Sequence, residues 1–527
     1  MAEASLPAMA PALQAGAAAG ATLDGVFRRA FEVFSDRVAV TSEESFLTYA
    51  QLRDRAWRLA GALTASGLAR GGRIAVLSET RPQYVEIYAA CAALGVTVVA
   101  LNIRLHPEEL LYCLEKGRPS LLIASGPLTP VAASIRERAD YVRRWVALEA
   151  IDGWLDYEAM LEAYLPLEPP RVAEPEDIHN VLFTSGTTGR PKGAMISQRA
   201  AAIRGLRLAQ WFGLGESDGF IGWLPLYHCG GDESLYATLV TGGTFCALSK
   251  ADAETMFRVT ARDRLSWTLL LPGLLTDFLN HPQRGEYDLS SMRFAIGYAN
   301  MMPDIVAQLT AAFDIDFYDA FGQSESSYLL AHGVSRPGEM PSLRKRPSPL
   351  LEVRIVDDAM KDMPVGQPGE CIVRGPSVMS GYLEDDKAND EVFFGGWLHT
   401  GDLLRKEADG ALTFVDRKRY LIKTGGENVY PAEVEAVIAR HPAVQEVCVF
   451  GIPDSYWGET IKAVIVPRRG QSTTGQEIVA FCREKLASYK RPRFVEFVAS
   501  ERIPRSATGK LQRDELAKWP VSDDQKA

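Results

Sequence analysis

A dense group of small, hydroxyl-bearing and basic residues follows an apolar run in LFTSGTTGRPKGAMIS, at positions 182–197. Glycines let backbone N–H groups come close to a ligand, hydroxyls donate hydrogen bonds, and a lysine supplies a mobile positive charge. A chain of phosphates is the simplest ligand that needs all three, although a single glycine-rich loop is often only a solvated turn. The residues concerned are Thr184, Ser185, Gly186, Thr187, Thr188, Gly189 and Lys192.

Four further stretches place charged groups beside turns or flexible segments. Glu325 lies in FYDAFGQSESS, Asp402 follows a Thr-Gly pair in GWLHTGDLL, where a turn is expected, and Lys510 follows a glycine in IPRSATGKLQ. The fourth stretch, DRKRYLIKTGGENVYP at 416–431, combines a basic cluster with a Gly-Gly turn and is a predicted hinge. Taken singly, each charge has an ordinary interpretation as a solvated or turn-forming side chain.

Short apolar runs separated by amphipathic segments must position these groups. Alternation of such strands with helices predicts a parallel sheet flanked by helices. NVLFT at 180–184 is then a strand whose C-terminal end carries the glycine-rich loop, where α/β folds place ligands. The other predicted strands are RIAVLSE (73–79), VTVVALN (96–102), SLLIAS (120–125) and RWVALEA (144–150), with a helix in RPQYVEIYAACAALG between the first two.

The sequence changes character near Asp416. Pro431 opens an amphipathic helix, EVCVFGI and IKAVIVP predict two strands, and a helix is expected around Glu477–Ala487. We therefore expect an α/β fold with a large multi-sheet N-terminal domain at 22–416 and a small α+β C-terminal domain at 417–527. The alanine-rich residues 1–21 predict a disordered leader.

The composition excludes several classes of protein. A net charge of −10 argues against a general nucleic-acid binder. Seven scattered cysteines without CxxC spacing indicate a reducing compartment and predict neither a disulfide framework nor a zinc site. Because no stretch reaches the roughly 18 apolar residues of a membrane span, and the leader lacks basic residues, we expect a cytoplasmic protein.

In this order the stretches closely resemble the adenylate-forming superfamily of acyl-CoA synthetases, peptide-synthetase adenylation domains and firefly-type luciferases. The resemblance covers nearly the whole chain after the leader and implies an ATP-dependent, AMP-forming acid–CoA ligase. The family patterns TSGTTGxPKG, YGxTE, TGD, GRxxDxIKxxG and PxxxxGK stand here at Thr184–Gly193, Phe321–Glu325, Thr400–Asp402, Asp416–Gly426 and Pro504–Lys510.

The resemblance implies a two-step reaction with ATP, Mg²⁺ and coenzyme A. The acid is first joined to AMP with loss of pyrophosphate, and the CoA thiol then displaces AMP. The implied catalytic residues are Thr184 and Lys192 at the phosphates, Glu325 at Mg²⁺, and Lys510 at the anionic transition state. The resemblance also implies nucleotide contacts from Asp402 and Arg417 to the ribose, and from Asp319, Ala320, Phe321, Gly322, Gln323 and Ser324 to the adenine.

In this family the C-terminal domain is mobile and rotates between the two half-reactions about a hinge residue, which is Arg419 here. The rotation takes Lys510 out of the site and brings in the hinge side of that domain. The residues then implied near coenzyme A are Lys423, Gly425, Gly426 and Glu427. Lys490 in the basic run SYKRPR is a candidate for the CoA phosphates, although such a run is as often a solvated face.

Two further segments match the family's acid pocket. In PLYHCGGDESLY, His228 stands where enzymes for α-amino acids carry an aspartate, so a hydrophobic acid without an α-amine is expected. AIGYANMMP matches the pocket-lining GGA segment, and methionine there suits an adaptable wall, although methionine is more often plain core. The implied acid-binding residues are His228, Cys229, Gly297, Tyr298, Ala299 and Met301.

The chain departs from the family patterns at five positions. Tyr298 replaces a glycine, Gln198 a histidine and Ser324 a threonine. Arg419 occupies the hinge position that is usually Asp or Lys, and Tyr420 follows where Asp is common. A ring at position 298 either shapes the pocket for a bulky or polycyclic acid or crowds the reacting groups. Crowding at Tyr298, together with the departure at Gln198, would leave mainly thioester formation on a preformed acyl-adenylate.

Three other functions stay open from the sequence. They are an adenylation enzyme that loads a carrier-protein thiol, luciferase-like oxygenation, and a catalytically dead nucleotide-binding relative. The expected partner is a small carboxylic acid, with no nucleic acid and no membrane span, and a homodimer is left open.

Overall fold

The computed structural model describes residues 22–184, 191–297, 303–424, 427–454, 456–505, 511–522 and 525–526. By their internal contacts these residues form two compact units. The first contains the chain up to Ser342 together with Pro347–Glu352 and Val373–Leu398, and the second contains Leu343–Arg346, Val353–Ile372 and the chain from His399 onward. The second unit thus draws on chain before the predicted boundary at 416–417, and the domain limits themselves stay a prediction.

The first unit contains two sheets with helices against them. Its helices are α1 (Leu23–Val33), α2 (Tyr49–Ala65), α3 (Pro82–Leu94), α4 (Pro107–Gly117), α5 (Thr129–Ser134), α6 (Tyr157–Glu162), α7 (Gln198–Phe212), α8 (Cys229–Val240), α9 (Ala253–Asp263), α10 (Pro272–Asn280), α11 (Pro303–Phe313) and α12 (Asp386–Val392). Its strands are β1 (Val38–Thr41), β2 (Phe46–Thr48), β3 (Arg73–Leu77), β4 (Thr97–Ala100), β5 (Leu121–Ala124), β6 (Arg144–Ala147), β7 (Leu155–Asp156), β8 (Ile178–Thr184), β9 (Lys192–Ser197), β10 (Gly219–Gly222), β11 (Thr244–Ala247), β12 (Trp267–Leu269), β13 (Phe294–Gly297), β14 (Asp316–Gln323), β15 (Ser327–Ser335) and β19 (Gly381–Tyr382).

The sheet that carries the glycine-rich loop has the strand order β19-β9-β8-β4-β3-β5-β6-β7. Strands β3 to β7 and β8 pair in parallel, which confirms the predicted strands and the crossover helix α3 between β3 and β4. Strand β9 is antiparallel to β8, so the sheet is mixed rather than wholly parallel. The connection at 185–191 is too short for a crossover, which takes a dozen or more residues, so these two strands form a hairpin.

The other sheet of the first unit runs β15-β14-β13-β12-β10-β11-β1-β2. Its central strands are parallel, and β15 turns back antiparallel to β14 directly after Glu325. An apolar core packs helices α9, α10 and α11 against this sheet and includes Met256, Phe257, Leu275, Phe278 and Leu309, all nearly inaccessible to solvent. The sheet therefore presents β13 and β14 from a rigid base.

The second unit also contains two sheets. Strands β17 (Glu352–Val356), β18 (Pro368–Arg374), β20 (Leu398–Lys406), β21 (Leu412–Arg417) and β16 (Arg344–Pro347) follow one another in that spatial order. The other sheet has the order β23-β22-β25-β24, with β26 beside β25, and its strands are β22 (Ile422–Thr424), β23 (Glu427–Val429), β24 (Val444–Asp454), β25 (Gly458–Pro467) and β26 (Phe494–Phe497). Its helices are α13 (Pro431–Ile438), α14 (Gly475–Arg483) and α15 (Arg513–Leu516).

The second unit confirms the predicted helix start at Pro431 and the two long strands β24 and β25. The helix expected around Glu477–Ala487 begins earlier, because the side chain of Thr474 caps it by accepting the backbone N–H of Glu477. The Thr-Gly turn predicted before Asp402 is wrong. Residues 398–406 form strand β20, and Gly401 takes a left-handed conformation with φ +68° inside it.

All seven cysteines are buried and none is in a disulfide. Burial raises the pKa of the Cys482 thiol to about 11 and that of Cys448 to about 12. In the part of the chain that the structure describes, no helix is long and apolar enough to cross a bilayer.

Candidate active site

The hairpin of β8 and β9 brings Thr184 and Lys192 opposite each other. The hydroxyl of Thr184 donates to the backbone oxygen of Lys192 over 3.4 Å, so the two ends of the loop are tied together. The hairpin therefore places both ends of the loop at the edge where β8 ends. Ser185, Gly186, Thr187, Thr188 and Gly189 lie outside the described residues.

A tyrosine links Lys192 to the carboxylate of Glu325. The Lys192 Nζ atom lies 5.1 Å from the centre of the Tyr382 ring, which is within the range of a cation–π contact. The hydroxyl of Tyr382 donates to Glu325 Oε1 over 2.8 Å. Strand β19, which carries Tyr382, pairs with β9, so the lysine and the carboxylate are held in fixed relation by one aromatic side chain.

Sequence reasoning missed Tyr382. It lies 57 residues from Glu325, in a strand of only two residues, and its spacing matches no chemical motif. Tyr382 reaches the site because β19 pairs with β9, a long-range contact that the sequence does not show.

Glu325 lies in a tight turn between β14 and β15 and is only 8% exposed. A side chain at Gly322 would place its Cβ 2.2 Å from the backbone oxygen of Ser327, so the turn requires glycine there. The backbone N–H of Met379 donates to the Glu325 carbonyl over 2.8 Å. The result is a carboxylate in a fixed orientation, and carboxylate oxygens are the ligands that Mg²⁺ prefers.

The predicted adenine segment and the predicted acid segment lie on neighbouring strand ends. Gly297, the last residue of β13, pairs in register with Asp319 of β14. Asp319, Ala320 and Phe321 are buried, whereas Gly322, Gln323 and Ser324 are partly exposed at the end of the strand. Parallel strands whose carboxyl ends meet form the usual ligand edge of an α/β sheet. Tyr298, Ala299 and Met301 lie outside the described residues.

His228 caps the N-terminus of helix α8. Its Nδ1 atom accepts the backbone N–H of Gly230 over 3.1 Å, so the proton of the neutral ring is on Nε2. Burial lowers the pKa of His228 below its ordinary value, which keeps the ring neutral. His228 is therefore a neutral hydrogen-bond donor at pH 7, with the chemistry to bind a carboxylate oxygen.

Cys229 connects the His228 segment to the Glu325 turn. Its Sγ atom lies 3.5 Å from the hydroxyl of Ser324, which donates to it. Burial raises the pKa of the Cys229 thiol far above its usual range, so the sulfur is no nucleophile. The contact brings two segments of the sequence prediction, the acid pocket and the adenine strand, to the same place.

The second unit brings Asp402 and Arg417 together as a pair. They are partners in register on β20 and β21, and Arg417 Nε lies 2.9 Å from Asp402 Oδ1. The Asp402 side chain is 2% exposed and Arg417 is about one-third exposed. Thr400 donates its hydroxyl to the Cys371 carbonyl over 2.7 Å and accepts the backbone N–H of Asp402 over 3.1 Å, which fixes the strand at this point.

The predicted hinge and CoA residues of the second unit have partners of their own. Arg419 lies 3.2 Å from Asp514, and its guanidinium lies 4.5 Å from the Tyr420 ring. Lys490 donates to both carboxylate oxygens of Glu433 at 2.7 Å, so this lysine is engaged rather than freely solvated.

The other predicted CoA residues are less constrained. Lys423 and Glu427 are exposed on the neighbouring strands β22 and β23. Gly425 and Gly426 lie outside the described residues.

The flanks of Lys510 are joined although Lys510 itself lies outside the described residues. Arg505 and Leu511 form an isolated antiparallel bridge, and the backbone N–H of Gln512 donates to the Pro504 carbonyl over 2.9 Å. Beyond them Arg513 donates to Glu435 over 2.6 Å and stacks 4.5 Å from the Tyr420 ring. The sequence analysis did not identify Arg513.

Gln198, which departs from the family pattern, has a packing role in the structure. It is fully buried at the start of α7, accepts the backbone N–H of Asp24 over 3.2 Å and donates to the Ala92 carbonyl over 3.1 Å. It thereby joins helices α1, α3 and α7. The substitution of the usual histidine is explained by these contacts and gives no reason to expect impaired adenylation.

Comparison with known proteins supplies two family matches. The family described as AMP-binding enzyme matches residues 27–383, and the one described as AMP-binding enzyme C-terminal domain matches residues 433–510. Together they cover most of the described chain, with the first match spanning the β8–β9 hairpin, Glu325 and Tyr382.

Individual relatives extend over nearly the full length. The chain is 33% identical to an indoleacetate–CoA ligase of Aromatoleum aromaticum, over 91% of this chain and 94% of that protein. It is 32% identical to the 3-[(3aS,4S,7aS)-7a-methyl-1,5-dioxo-octahydro-1H-inden-4-yl]propanoyl:CoA ligase of Mycobacterium tuberculosis, over 94% of this chain and 98% of that protein. The crystal structure of the anthranilate CoA ligase AuaEII in complex with anthranoyl-AMP superposes with a TM-score of 0.83, at 27% identity over 94% and 96% of the two chains.

Proposed function

This chain belongs to the family of AMP-binding enzymes, and from that premise we propose that it is an acid–CoA ligase that works through an acyl-adenylate. ATP and a carboxylic acid give acyl-AMP and pyrophosphate, and the thiol of coenzyme A then displaces AMP to leave a thioester. The single observation that carries the proposal is the contact chain from Lys192 through Tyr382 to Glu325, which joins the lysine at the end of the glycine-rich loop to a buried carboxylate.

In the first half-reaction the protein must neutralise charge as pyrophosphate leaves. Lys192 and the donors of the 184–192 loop bind the β- and γ-phosphates, because their positive charge and N–H groups match phosphate oxygens. Glu325 would hold Mg²⁺, which supplies Lewis-acid stabilisation of the leaving pyrophosphate. Tyr382 orients that carboxylate by donating to one of its two oxygens.

The attacking carboxylate must be aligned with the α-phosphorus. We assign one carboxylate oxygen to the Nε2–H of His228, since that ring is neutral and its other nitrogen is already engaged by Gly230. Lys510 is assigned to the α-phosphate and the carboxylate, where its charge stabilises the pentacovalent transition state. Asp402 accepts from the ribose hydroxyls, and Arg417 holds it in place.

In the second half-reaction the acyl-adenylate is already an activated electrophile and no pyrophosphate leaves, so the charges of Glu325 and Lys510 would not be needed as they are in the first. The thiolate of coenzyme A attacks the acyl carbon, and AMP leaves with the electron pair of the broken bond. Lys423 and Glu427, with the glycines between them, are assigned to the pantetheine side. The engagement of Lys490 by Glu433 makes it the weakest of the proposed CoA contacts.

We assign the substrate to the class of hydrophobic acids that carry a ring. The relatives described above act on indoleacetate, on a bicyclic propanoate and on anthranilate, as their names state. The neutral His228 donor suits a carboxylate and offers no negative group for an α-ammonium. Tyr298 belongs to the predicted wall of this pocket, where an aromatic ring would pack on another ring.

An acid panel tests the proposal directly. The purified protein is mixed with ATP, Mg²⁺ and coenzyme A and with aliphatic, monocyclic aromatic or bicyclic acids, and pyrophosphate and acyl-CoA are measured separately. We expect both products in equal amounts, with the highest kcat/KM for ring-bearing acids.

Other outcomes separate the alternatives. Thioester from synthetic acyl-adenylate without pyrophosphate release would leave only the second half-reaction. Pyrophosphate without acyl-CoA would favour a carrier-protein thiol as acceptor. Nucleotide binding with neither product would identify a catalytically dead relative and overturn the proposal.

A further inference from the structure

Helices α7 and α8 of the first unit cross at unusually close range. A Cβ atom added at Gly205 would lie 2.7 Å from the Cβ of Tyr236 and 3.0 Å from its backbone carbonyl carbon, so only glycine fits there. On either side of this glycine stand Arg204 and Arg207, which are 0% and 1% exposed. Arginines are almost never buried to this extent unless they are paired or hydrogen-bonded. The close crossing therefore buries both arginines between the helices, where they must bind to groups of the protein.

Arg204 binds three different segments at once. Its Nη1 donates to Glu233 Oε1 over 3.0 Å, its Nε to the Ser377 carbonyl over 2.8 Å, and its Nη2 to the Ser324 carbonyl over 3.1 Å. The planar fork of a guanidinium makes such a three-way contact rigid, and a lysine could not reproduce it. One of these contacts is to Ser324, the residue directly before Glu325.

Arg207 holds the other end of the same turn. Its Nη2 donates to the hydroxyl of Ser327 and its Nη1 to the hydroxyl of Ser377 over 3.2 Å. The Ser327 hydroxyl in turn donates to Glu233 Oε2, so both arginines and the glutamate form one network. Ser327 has a φ of +100°, a backbone conformation that a non-glycine residue keeps only when its surroundings impose it.

Each residue of the turn at 324–327 is thus bound from outside. Ser324 is held by Arg204 and Ser327 by Arg207, while the Ser326 carbonyl accepts the Ser377 hydroxyl over 3.2 Å. The remaining residue is Glu325, whose carbonyl is bound by the Met379 N–H and whose carboxylate is bound by Tyr382. A turn that only connected two strands would not need a buried, charged support.

We propose that Arg204 and Arg207 are positioning residues for the first half-reaction, which hold the turn at 324–327 so that the Glu325 carboxylate meets the metal ion. This rests on the proposed function, because it assigns the purpose of the network to adenylation. The second half-reaction does not draw on the Glu325 carboxylate, so we expect the network to affect it far less than the first.

The test compares conservative variants at both ends of the turn. Arg204→Lys and Arg207→Lys keep a positive charge but lose the fork, and Ser327→Gly removes the shared hydroxyl while relieving the backbone. The control is Arg28→Lys, which likewise keeps a positive charge but removes the guanidinium fork from the buried Arg28–Asp24 ion pair on α1, a pair of similar burial whose contacts at 2.8 and 2.9 Å lie outside the turn.

Two measurements report on the metal and one on the other half-reaction. Mn²⁺ binding is followed by electron paramagnetic resonance with a non-hydrolysable ATP analogue, and the Mg²⁺ concentration that half-saturates pyrophosphate release is determined. Thioester formation from synthetic acyl-adenylate is then measured in EDTA. Circular dichroism and thermal unfolding monitor the fold of every variant.

We expect the Arg204, Arg207 and Ser327 variants to weaken Mn²⁺ binding about tenfold, as for the loss of one hydrogen bond to a charged group, and to raise the Mg²⁺ requirement alike. Thioester formation from the adenylate should stay within about threefold of the parent protein. The control should leave the Mn²⁺ dissociation constant unchanged.

Three results would overturn the inference: unchanged Mn²⁺ binding in all variants, an equal fall of both half-reactions, or a similar shift in Arg28→Lys. If Arg204→Lys fails to fold, Arg207→Lys and Ser327→Gly decide. A parent protein that forms no acyl-CoA with any acid would sink the proposed function, whereas the Mn²⁺ measurement would still judge the network.

Discussion

Each unit contains a buried or half-buried arginine next to a segment with a predicted catalytic residue. Arg204 contacts the turn of Glu325, and Arg513 follows Lys510 in the sequence, but the two arginines are bound differently. In the first unit Arg204 is fully buried and spends three donors on a carboxylate and two backbone carbonyls. In the second unit Arg513 is 15% exposed, makes one 2.6 Å contact with Glu435, lies 3.7 Å from Asp416, and turns a face to the Tyr420 ring. The first cluster holds its partners by three directional hydrogen bonds, whereas the second anchors its segment by one ion pair and one ring contact.

The difference matches the chemistry proposed above for the segment that each cluster supports. A metal-binding carboxylate must be placed to within a fraction of an ångström, which needs directional hydrogen bonds in a dry interior. A lysine on a loop acts as a point charge on a long flexible stem, so its base needs only an anchor. A stacked guanidinium with one strong ion pair is such an anchor, and it tolerates small rotations that a three-way fork does not.

The largest expected effect is on stability, from Glu233→Ala. The substitution leaves Arg204 buried without its carboxylate and should lower the free energy of unfolding by about 3–5 kcal/mol, as for other broken buried ion pairs. Urea denaturation followed by tryptophan fluorescence measures the change. A loss below about 1 kcal/mol, the range of exposed pairs, would show that water reaches the cluster and would break the contrast.

Next in size is the loss of the lysine charge in Lys510→Ala. Adenylation should fall by roughly 10²–10³-fold, or about 2.7–4 kcal/mol of transition-state stabilisation, because a preorganised charge at the α-phosphate is gone. Pyrophosphate exchange measures this step, and thioester formation from synthetic acyl-adenylate should persist. The matched control is Lys518→Ala, a surface lysine paired with Glu515 on the same stretch. Full exchange activity in Lys510→Ala would remove Lys510 from the site.

A smaller effect is expected from Glu435→Ala, the counterpart of Glu233→Ala in the second unit. Arg513 loses its one strong acceptor but keeps Asp416 and the Tyr420 ring, so the cost should be about 1.5–3 kcal/mol, as for one hydrogen bond to a charged group. The same denaturation experiment gives the number. If Glu435→Ala costs as much as Glu233→Ala, the two clusters are equally rigid and the distinction drawn here is wrong.

The smallest expected effect is a pH dependence of the free energy of unfolding, which reports how completely water is excluded from the interior of the first unit. His179 is fully buried there, and burial lowers its pKa to about 3. The unfolded chain binds this proton from about pH 6.5 downward while the folded protein does not, so stability present at neutral pH is lost as the pH falls. Between pH 7.5 and 5.5 the loss from this one group should be about 1.4 kcal/mol.

The comparison with His179→Gln isolates that contribution. The variant should lose less stability than the parent protein over the same pH interval, because its side chain does not titrate. Thermal unfolding at both pH values provides the measurement. Identical pH dependence in the two proteins would mean that His179 titrates in the folded state and that the interior is wetter than its packing implies.

The sequence predicted those parts of the fold that local chemistry determines. Apolar runs bounded by turn residues located β3 to β6, the crossover helix α3 and the helix start at Pro431. Tertiary pairing overrode the local signal at Thr400–Asp402, where a Thr-Gly pair typical of a turn lies in the continuous strand β20. Gly401 resolves the conflict by taking the left-handed conformation inside the strand.

The candidate site was predicted where a short motif carries the chemistry, and missed where long-range contacts do. Glu325 and Lys192 stand in such motifs, whereas Arg204 and Glu233 meet only because two helices cross. Arginines at helical spacing normally indicate a solvated face. The one available signal was Gly205 between Arg204 and Arg207 in the interior of a helix, a residue that costs helix stability unless close packing needs it.

Gln198 shows the opposite error, an overinterpretation of a single position. Because a histidine usually follows Ser197 in the family pattern, Gln198 suggested, together with Tyr298, a catalytic deficit. The structure shows its amide bonding Asp24 and Ala92 inside the helical layer. The place of Gln198 in the sequence, close to the glycine-rich loop, suggested that its side chain belongs to the site. Its side chain instead points into the helical layer, and a single sequence does not show where a side chain points.

The burial of all seven thiols makes the protein suited to site-specific labelling. Cysteine reacts as the thiolate, and burial both shields these sulfurs and raises the pKa of those described above. Maleimide dyes should therefore not react with the native cysteines of the folded protein and should couple only to cysteines introduced at surface positions. Lys387 in the first unit and Tyr456 in the second are 89% and 81% exposed, so a donor and an acceptor fluorophore there could follow the distance between the units through a catalytic cycle.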